Sequence, residues 1–202
     1  RTHRQQYRSR RNRSRLPLVT LVGYTNAGKS TLLNRLTNAG VYVADQLFAT
    51  LDPTTRRVEL PGGHTALFTD TVGFIQKLPT QLIAAFRATL EEITEADLLL
   101  HIVDTTHPNA QAQAEAVHVT LQEIDAGHIP VLVVLNKIDQ LRDVQAAKGA
   151  IELYPNSVAV SALRGDGIDD LLRTISNRLF ETYAPITVRL PYKEGALISM
   201  FH

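Results

Sequence analysis

Gly23-Tyr24-Thr25-Asn26-Ala27-Gly28-Lys29-Ser30 fits the pattern G-x-x-x-x-G-K-[ST], and it limits what the chain can fold into more than any other segment. In that pattern a strand turns into a helix, and successive backbone N–H groups of the turn wrap around a phosphate chain. Val19 to Val22 reads as the buried strand, and Thr31-Leu-Leu-Asn-Arg-Leu36 as the helix whose N-terminus faces the anion. Gly23 and Gly28 allow an approach that a β-carbon would obstruct. Lys29 supplies a point charge to the outer phosphates, and the Ser30 hydroxyl is placed to hold Mg²⁺. Tyr24, Thr25, Asn26, Ala27 and Thr31 complete the expected cradle. Alone, the segment specifies only a nucleoside triphosphate.

Asn136-Lys137-Ile138-Asp139, at domain-scale distance downstream, specifies the base. A carboxylate accepts two hydrogen bonds side by side, and guanine offers two adjacent donors, its ring N1–H and its 2-amino group. Adenine lacks both and would leave the Asp139 carboxylate buried and unpaired. Sites built to hydrogen-bond a substrate group can reject an analogue lacking it by roughly 10⁴–10⁵. Val131-Leu-Val-Val-Leu135 runs straight into Asn136 as an apolar strand, so the tetrapeptide falls at a strand's C-terminal end, where open α/β sheets bind ligands.

Two further segments fit the same site. Thr65 to Thr69 leads into Asp70-Thr71-Val72-Gly73, a D-x-x-G in which Asp70 is expected to hold Mg²⁺ through water and the Gly73 N–H to reach the γ-phosphate. Ser161-Ala162-Leu163, after the strand Ser157 to Val160, is expected to support the guanine ring through backbone N–H groups. Between the first two motifs, Leu47-Phe-Ala-Thr50-Leu-Asp-Pro53-Thr54 offers a threonine to cap Mg²⁺ and the γ-phosphate; Thr50 is the first choice and Thr54 the second. The catalytic set expected is therefore Lys29, Thr50 and Gly73, with Ser30, Thr50 and Asp70 around the metal.

The rest of the sequence supplies scaffold. Arg56 to Leu60 and Thr65 to Thr69, joined across Pro61-Gly-Gly-His64, predict a hairpin. Leu82, Ile83, Phe86, Leu90 and Ile93 mark an amphipathic helix, Asp97 to Asp104 a strand, Ala112 to Ile124 a helix and Gly167 to Leu179 a last helix. Strands alternating with helices predict a mostly parallel sheet covered on both faces. With 202 residues and 44% hydrophobic composition, one full α/β core is within reach. The absence of Cys excludes disulfides and thiolate metal sites, and no apolar run approaches a membrane span. The seven histidines are scattered without ligand spacing.

Charge is uneven. Of the 21 Lys and Arg, seven arginines fall in residues 1–15 with no acid among them, so the remainder carries 14 basic against 20 acidic groups. The arm suits RNA phosphates, or equally a solvated linker. Two motif residues bear on rate. Phe74 stands after Gly73, where many regulatory GTPases place a glutamine that orients the attacking water, and Gln76 comes two places too late. Asn26 could coordinate a monovalent cation, K⁺, between the phosphates, or serve simply as a turn residue that tolerates the left-handed conformation.

Gly23-Tyr-Thr-Asn-Ala-Gly-Lys-Ser-Thr-Leu32, Phe48-Ala-Thr-Leu-Asp-Pro53, Asp70-Thr-Val-Gly-Phe-Ile75 and Asn136-Lys-Ile-Asp139 together resemble the HflX GTPases, as do the arginine-rich lead-in and the Leu190-Pro-Tyr-Lys-Glu-Gly195 exit. The resemblance covers almost the whole chain. It implies a cytoplasmic GTPase that binds GTP and GDP, associates with the large ribosomal subunit and its RNA, and splits ribosomes under stress. It implies a Ras-like P-loop GTPase fold, with one antiparallel edge strand in the sheet. Residues 16–184 would be the G domain, 1–15 a basic linker or the end of a helical domain, and 185–202 the start of a truncated C-terminal domain. It assigns Gly23 to Ser30, Thr50, Asp70, Gly73, Asn136, Lys137, Asp139 and Ser161 to the nucleotide site. A signalling GTPase acting on a protein effector, and a nucleotide-binding module with negligible hydrolysis, remain the alternatives.

Overall fold

The computed structural model describes residues 16–37, 54–71, 73, 93–141, 153–154 and 156–180. The basic arm 1–15, Thr50, Phe74, Gln76, the helix expected from Leu82 to Leu90 and the segment 185–202 lie outside the described residues.

Among the described residues six strands form one sheet: β1 Leu18–Gly23, β2 Thr54–Leu60, β3 His64–Asp70, β4 Leu98–Asp104, β5 Val131–Asn136 and β6 Val158–Ala159, in the order β2-β3-β1-β4-β5-β6. Every neighbouring pair is parallel except β2 with β3, which makes β2 an antiparallel edge strand. Three α-helices are described: α1 Lys29–Leu36, α2 Ala110–Glu123 and α3 Ile168–Phe180. The expected hairpin and the three expected helices that fall among the described residues are present, with ends displaced by one or two residues. α1 begins at Lys29 rather than Thr31, because the phosphate turn winds directly into it.

The central strands are near-continuous apolar runs because helices cover both faces. Alternate side chains then divide between the two layers. Val19, Leu21, Leu98, Leu100, Ile102, Leu132 and Val134 face α1 and α3, meeting Leu32, Leu33, Leu171 and Ile175. Val22 and Leu99 face the other way, onto Val117 and Leu121 of α2. Ile168, Leu171, Leu172, Ile175 and Leu179 give α3 one apolar stripe, and each fully buried Leu or Ile contributes roughly 1.5–3 kcal/mol. Among the described residues no helix is long and apolar enough to cross a membrane.

Parallel register carries the C-terminal ends of β1, β3, β4 and β5 to one edge. Leu21 pairs with Asp70, Gly23 with Ile102 and Asp104 with Asn136, so Gly23, Asp70, Asp104 and Asn136 lie along that edge.

Candidate nucleotide-binding site

β1 ends at Gly23 and the chain turns through Tyr24 to Gly28 into α1. Asn26 (φ 60°) and Gly28 (φ 96°) are left-handed, which curls the backbone into a concave turn at the helix N-terminus. Gly28 is required on a second count: a Cβ there would lie 2.2 Å from Asn136 Nδ2. Lys29 is buried, and its ammonium donates to the carbonyls of Gly23 at 3.2 Å and Tyr24 at 3.1 Å, closing the turn on itself. Burial, outweighing the attraction of Asp70, lowers this ammonium to about 8. Thr25 and Thr31 are half-buried at the turn and in the first turn of α1.

Ser30 and Asp70 come from different elements and meet, the hydroxyl donating to Asp70 Oδ2 at 2.5 Å. A hydroxyl and a carboxylate beside a phosphate cradle are hard oxygen donors, and they fit Mg²⁺, which takes one or two carboxylates plus phosphate oxygens. Thr71, next in D-x-x-G, is fully buried and donates to the Leu21 carbonyl at 2.7 Å, fastening the end of β3 to β1. That bond aims the chain so that Gly73 passes over the cradle, where a Cβ would come within 2.8 Å of the Thr25 Cα and 3.0 Å of Lys29 Nζ. Thr54 opens β2, paired with Asp70.

The base side is organised by Asn136, buried at the end of β5. Its Nδ2 donates to the Ala27 carbonyl at 2.8 Å and its Oδ1 accepts from the Ala162 N–H at 3.0 Å. One side chain thus ties the phosphate turn to the turn 161–163. Lys137 (φ 67°) is left-handed, and its ammonium pairs with Asp104 Oδ2 at 2.7 Å. Burial alone would raise the Asp104 carboxyl; hydrogen bonds from Lys137 and from the Thr106 side chain and backbone outweigh it and hold it below its usual value. Asp139 sits in a single 3₁₀ turn, Ile138–Gln140, with its side chain 6% exposed and 4.0 Å from Arg164 Nε. Ser161 is fully buried; its Oγ accepts from the Arg164 N–H at 3.0 Å and its carbonyl from the Gly165 N–H at 2.7 Å, while Leu163 is exposed.

The structure therefore gathers Gly23 to Thr31, Asp70, Gly73, Asn136, Lys137, Asp139 and Ser161 to Leu163 on one sheet edge. Sequence reasoning passed over Asp104, Thr71 and Arg35, whose bonds span the fold. Asp104 alone left a signal, an acid ending an apolar strand. His101, in mid-β4, is also buried. Its imidazole is lowered to about 4, by desolvation first and then by the charges of His118 and Lys29.

A phosphate cradle and a carboxylate suited to guanine, on a sheet of this strand order, place the chain among the P-loop GTPases of Ras-like fold. Known proteins narrow the class. A family described as 50S ribosome-binding GTPase matches residues 18–137. The GTPase HflX of Escherichia coli is 50% identical over 200 residues, covering 98% of this chain and 47% of that protein. The GTPase HflX of Alkalihalophilus pseudofirmus is 56% identical over 142 residues, covering 70% and 34%. The chain belongs to the HflX family of 50S ribosome-binding GTPases, and it spans about half the length of the relatives it matches. Among solved structures, Era in complex with MgGDPNP and a segment of 16S ribosomal RNA aligns with TM-score 0.67 at 26% identity over 89% of this chain and 60% of Era. A GTP-binding protein from Sulfolobus solfataricus in complex with GDP aligns with TM-score 0.66 at 27% identity over 89% and 57%.

Proposed function

We propose that this domain binds GTP and GDP, hydrolyses GTP with Mg²⁺, and works in the cytoplasm as a switch on the large ribosomal subunit, splitting stalled or idle ribosomes under stress. The observation that carries the nucleotide reading is Asn136, hydrogen-bonded to both Ala27 and Ala162. It brings the phosphate turn and the Asp139 carboxylate into one site. The ribosomal part rests on the family's description and on the arginines of residues 1–15. In this reading residues 16–184 are the G domain, flanked by a basic linker and the start of another domain.

In the proposed reaction Lys29 leaves the Gly23 and Tyr24 carbonyls for the outer phosphates, which favour its charged form. The N–H groups of the turn orient the phosphate chain, and Gly73 presents its N–H at the γ-phosphate. Thr50 closes over it. Mg²⁺, held by Ser30 and Asp70, would neutralise charge developing on the phosphate oxygens. Phe74 cannot orient water, so turnover is slow alone and rises when the ribosome completes the transition-state electrostatics. The same residue favours the competing reading, a binding module without hydrolysis. A monovalent ion at Asn26 would add positive charge at the phosphates. Because the left-handed turn already accounts for an asparagine there, that role stands on its own test, loss of K⁺ over Na⁺ stimulation in Asn26→Ala.

The deciding experiment is GTP turnover, with ATP as control, with and without large ribosomal subunits, alongside co-sedimentation. Guanine-selective turnover that rises with subunits is expected. Turnover that ignores the subunits would remove the ribosomal role, and none under any condition would leave the binding module.

A further inference from the structure

α1 carries a residue that the nucleotide motifs do not contain. Arg35 stands in its last turn, and its guanidinium reaches the base-side turn, donating from Nε to the Ala162 carbonyl at 3.1 Å and from Nη2 to the Leu163 carbonyl. A planar fork that grips two successive carbonyls fixes the orientation of both peptide groups. In a trans peptide the N–H lies opposite the carbonyl, so holding the Ala162 carbonyl turns the Leu163 N–H away from α1. Holding the Leu163 carbonyl does the same for the Arg164 N–H, which donates to Ser161 Oγ at 3.0 Å. From β5, Asn136 Oδ1 takes the Ala162 N–H at 3.0 Å. The Leu163 N–H is thus set by a grip on its own peptide's far end.

We propose that Arg35 is a positioning residue for purine recognition, directing the Leu163 N–H to the oxygen on C6 of guanine. The inference rests on the guanine-nucleotide reading above and deepens it. Asp139 reads the N1–H and the 2-amino group, and the turn reads position 6. Adenine carries an amino donor there, which would meet a second donor instead of an acceptor. Withdrawal of electrons through the gripped carbonyl also strengthens the N–H as a donor. Because Lys29 and Ser30 begin the helix whose last turn carries Arg35, the base turn is fastened to the same rod that holds the phosphates.

The test compares wild type, Arg35→Ala and Arg35→Lys with three ligands: GDP, IDP, which keeps the C6 oxygen, and 2-aminopurine riboside diphosphate, which lacks it. For Arg35→Ala, affinity for GDP and IDP should fall about 10-fold, the size expected when a charge-assisted contact is lost at a partly exposed site. Affinity for the 2-aminopurine ligand should move less than about 2-fold. Arg35→Lys keeps the charge without the fork and should reproduce the pattern in a domain of unchanged melting temperature. Equal loss on all three ligands would mean a structural tether only and would overturn the proposal, as would no loss on any. If wild type bound GDP and ADP alike, the guanine-nucleotide reading itself would fall, and the inference with it.

Discussion

Lys29 and His101 are both buried bases whose charged forms the fold disfavours, and they set opposite ends of the pH response. Lys29 falls to about 8 in the protein, below its ordinary 10.5. Between those values the unfolded chain binds the proton and the folded one does not, so this group adds stability as pH rises through that window. Phosphate restores the charge, so nucleotide binding should take up a proton near pH 8.5. Calorimetry in buffers of different ionisation enthalpy checks this, and no buffer dependence would contradict it. His101 falls to about 4 from 6.5. Here too the unfolded chain takes the proton first, and stability present above pH 6.5 is lost as pH falls toward 4. The loss should reach about 2 kcal/mol by pH 5. His101→Leu should flatten that arm in denaturant titrations at pH 5 and 7. An unchanged slope would locate the acid sensitivity elsewhere.

At the scale of elements, the two ends of β3 predict different outcomes. His64, at its start, stacks on Phe180 of α3 with ring centroids 4.1 Å apart, and Ser176 donates to the Pro61 carbonyl at 3.0 Å. Asp70, at its other end, joins Ser30. Phe180→Ala should therefore cost about 2 kcal/mol of stability, less than a fully buried aromatic, while leaving GDP affinity within about 2-fold. Asn136→Ala should fail in both respects, since it strands the Ala27 carbonyl and the Ala162 N–H at about 1–3 kcal/mol each. Equal effects of the two on nucleotide affinity would contradict the separation. The same contrast explains what the sequence made legible. The described strands and helices were readable because periodicity and turn chemistry are local, and the four motifs because each is a contiguous string. Arg35 with 162–163, Lys137 with Asp104 and Thr71 with Leu21 were not, because each bond joins segments that only the sheet order brings together. Gly73 is an intermediate case: its motif announced it, but the backbone of Thr25 that forbids a side chain there became visible only in the fold.

For the molecule as a whole, base recognition and stability are linked, because a ligand that binds only the folded state stabilises it by mass action. At a concentration 100 times its Kd, a nucleotide adds about 2.7 kcal/mol. For a domain of this length each kcal/mol raises the melting temperature by about 2–4 °C, so GDP at that excess should raise it by about 5–10 °C. ADP at equal concentration should raise it far less, since Asp139 would face no paired donors. Asp139→Asn exchanges an acceptor for a donor. Its melting temperature should stop responding to GDP and respond instead to xanthosine diphosphate, whose 2-oxo group accepts where guanine donates. The substitution also removes the carboxylate 4.0 Å from Arg164, but that side chain is 65% exposed, so the ligand-free melting temperature should hardly move. Thermal shift with the three diphosphates, on both forms, reads all of this at once. GDP and ADP shifting wild type equally would show that Asp139 does not read the base. A mutant that lost GDP without gaining the xanthine nucleotide would show that the carboxylate supports the turn rather than pairing with the purine.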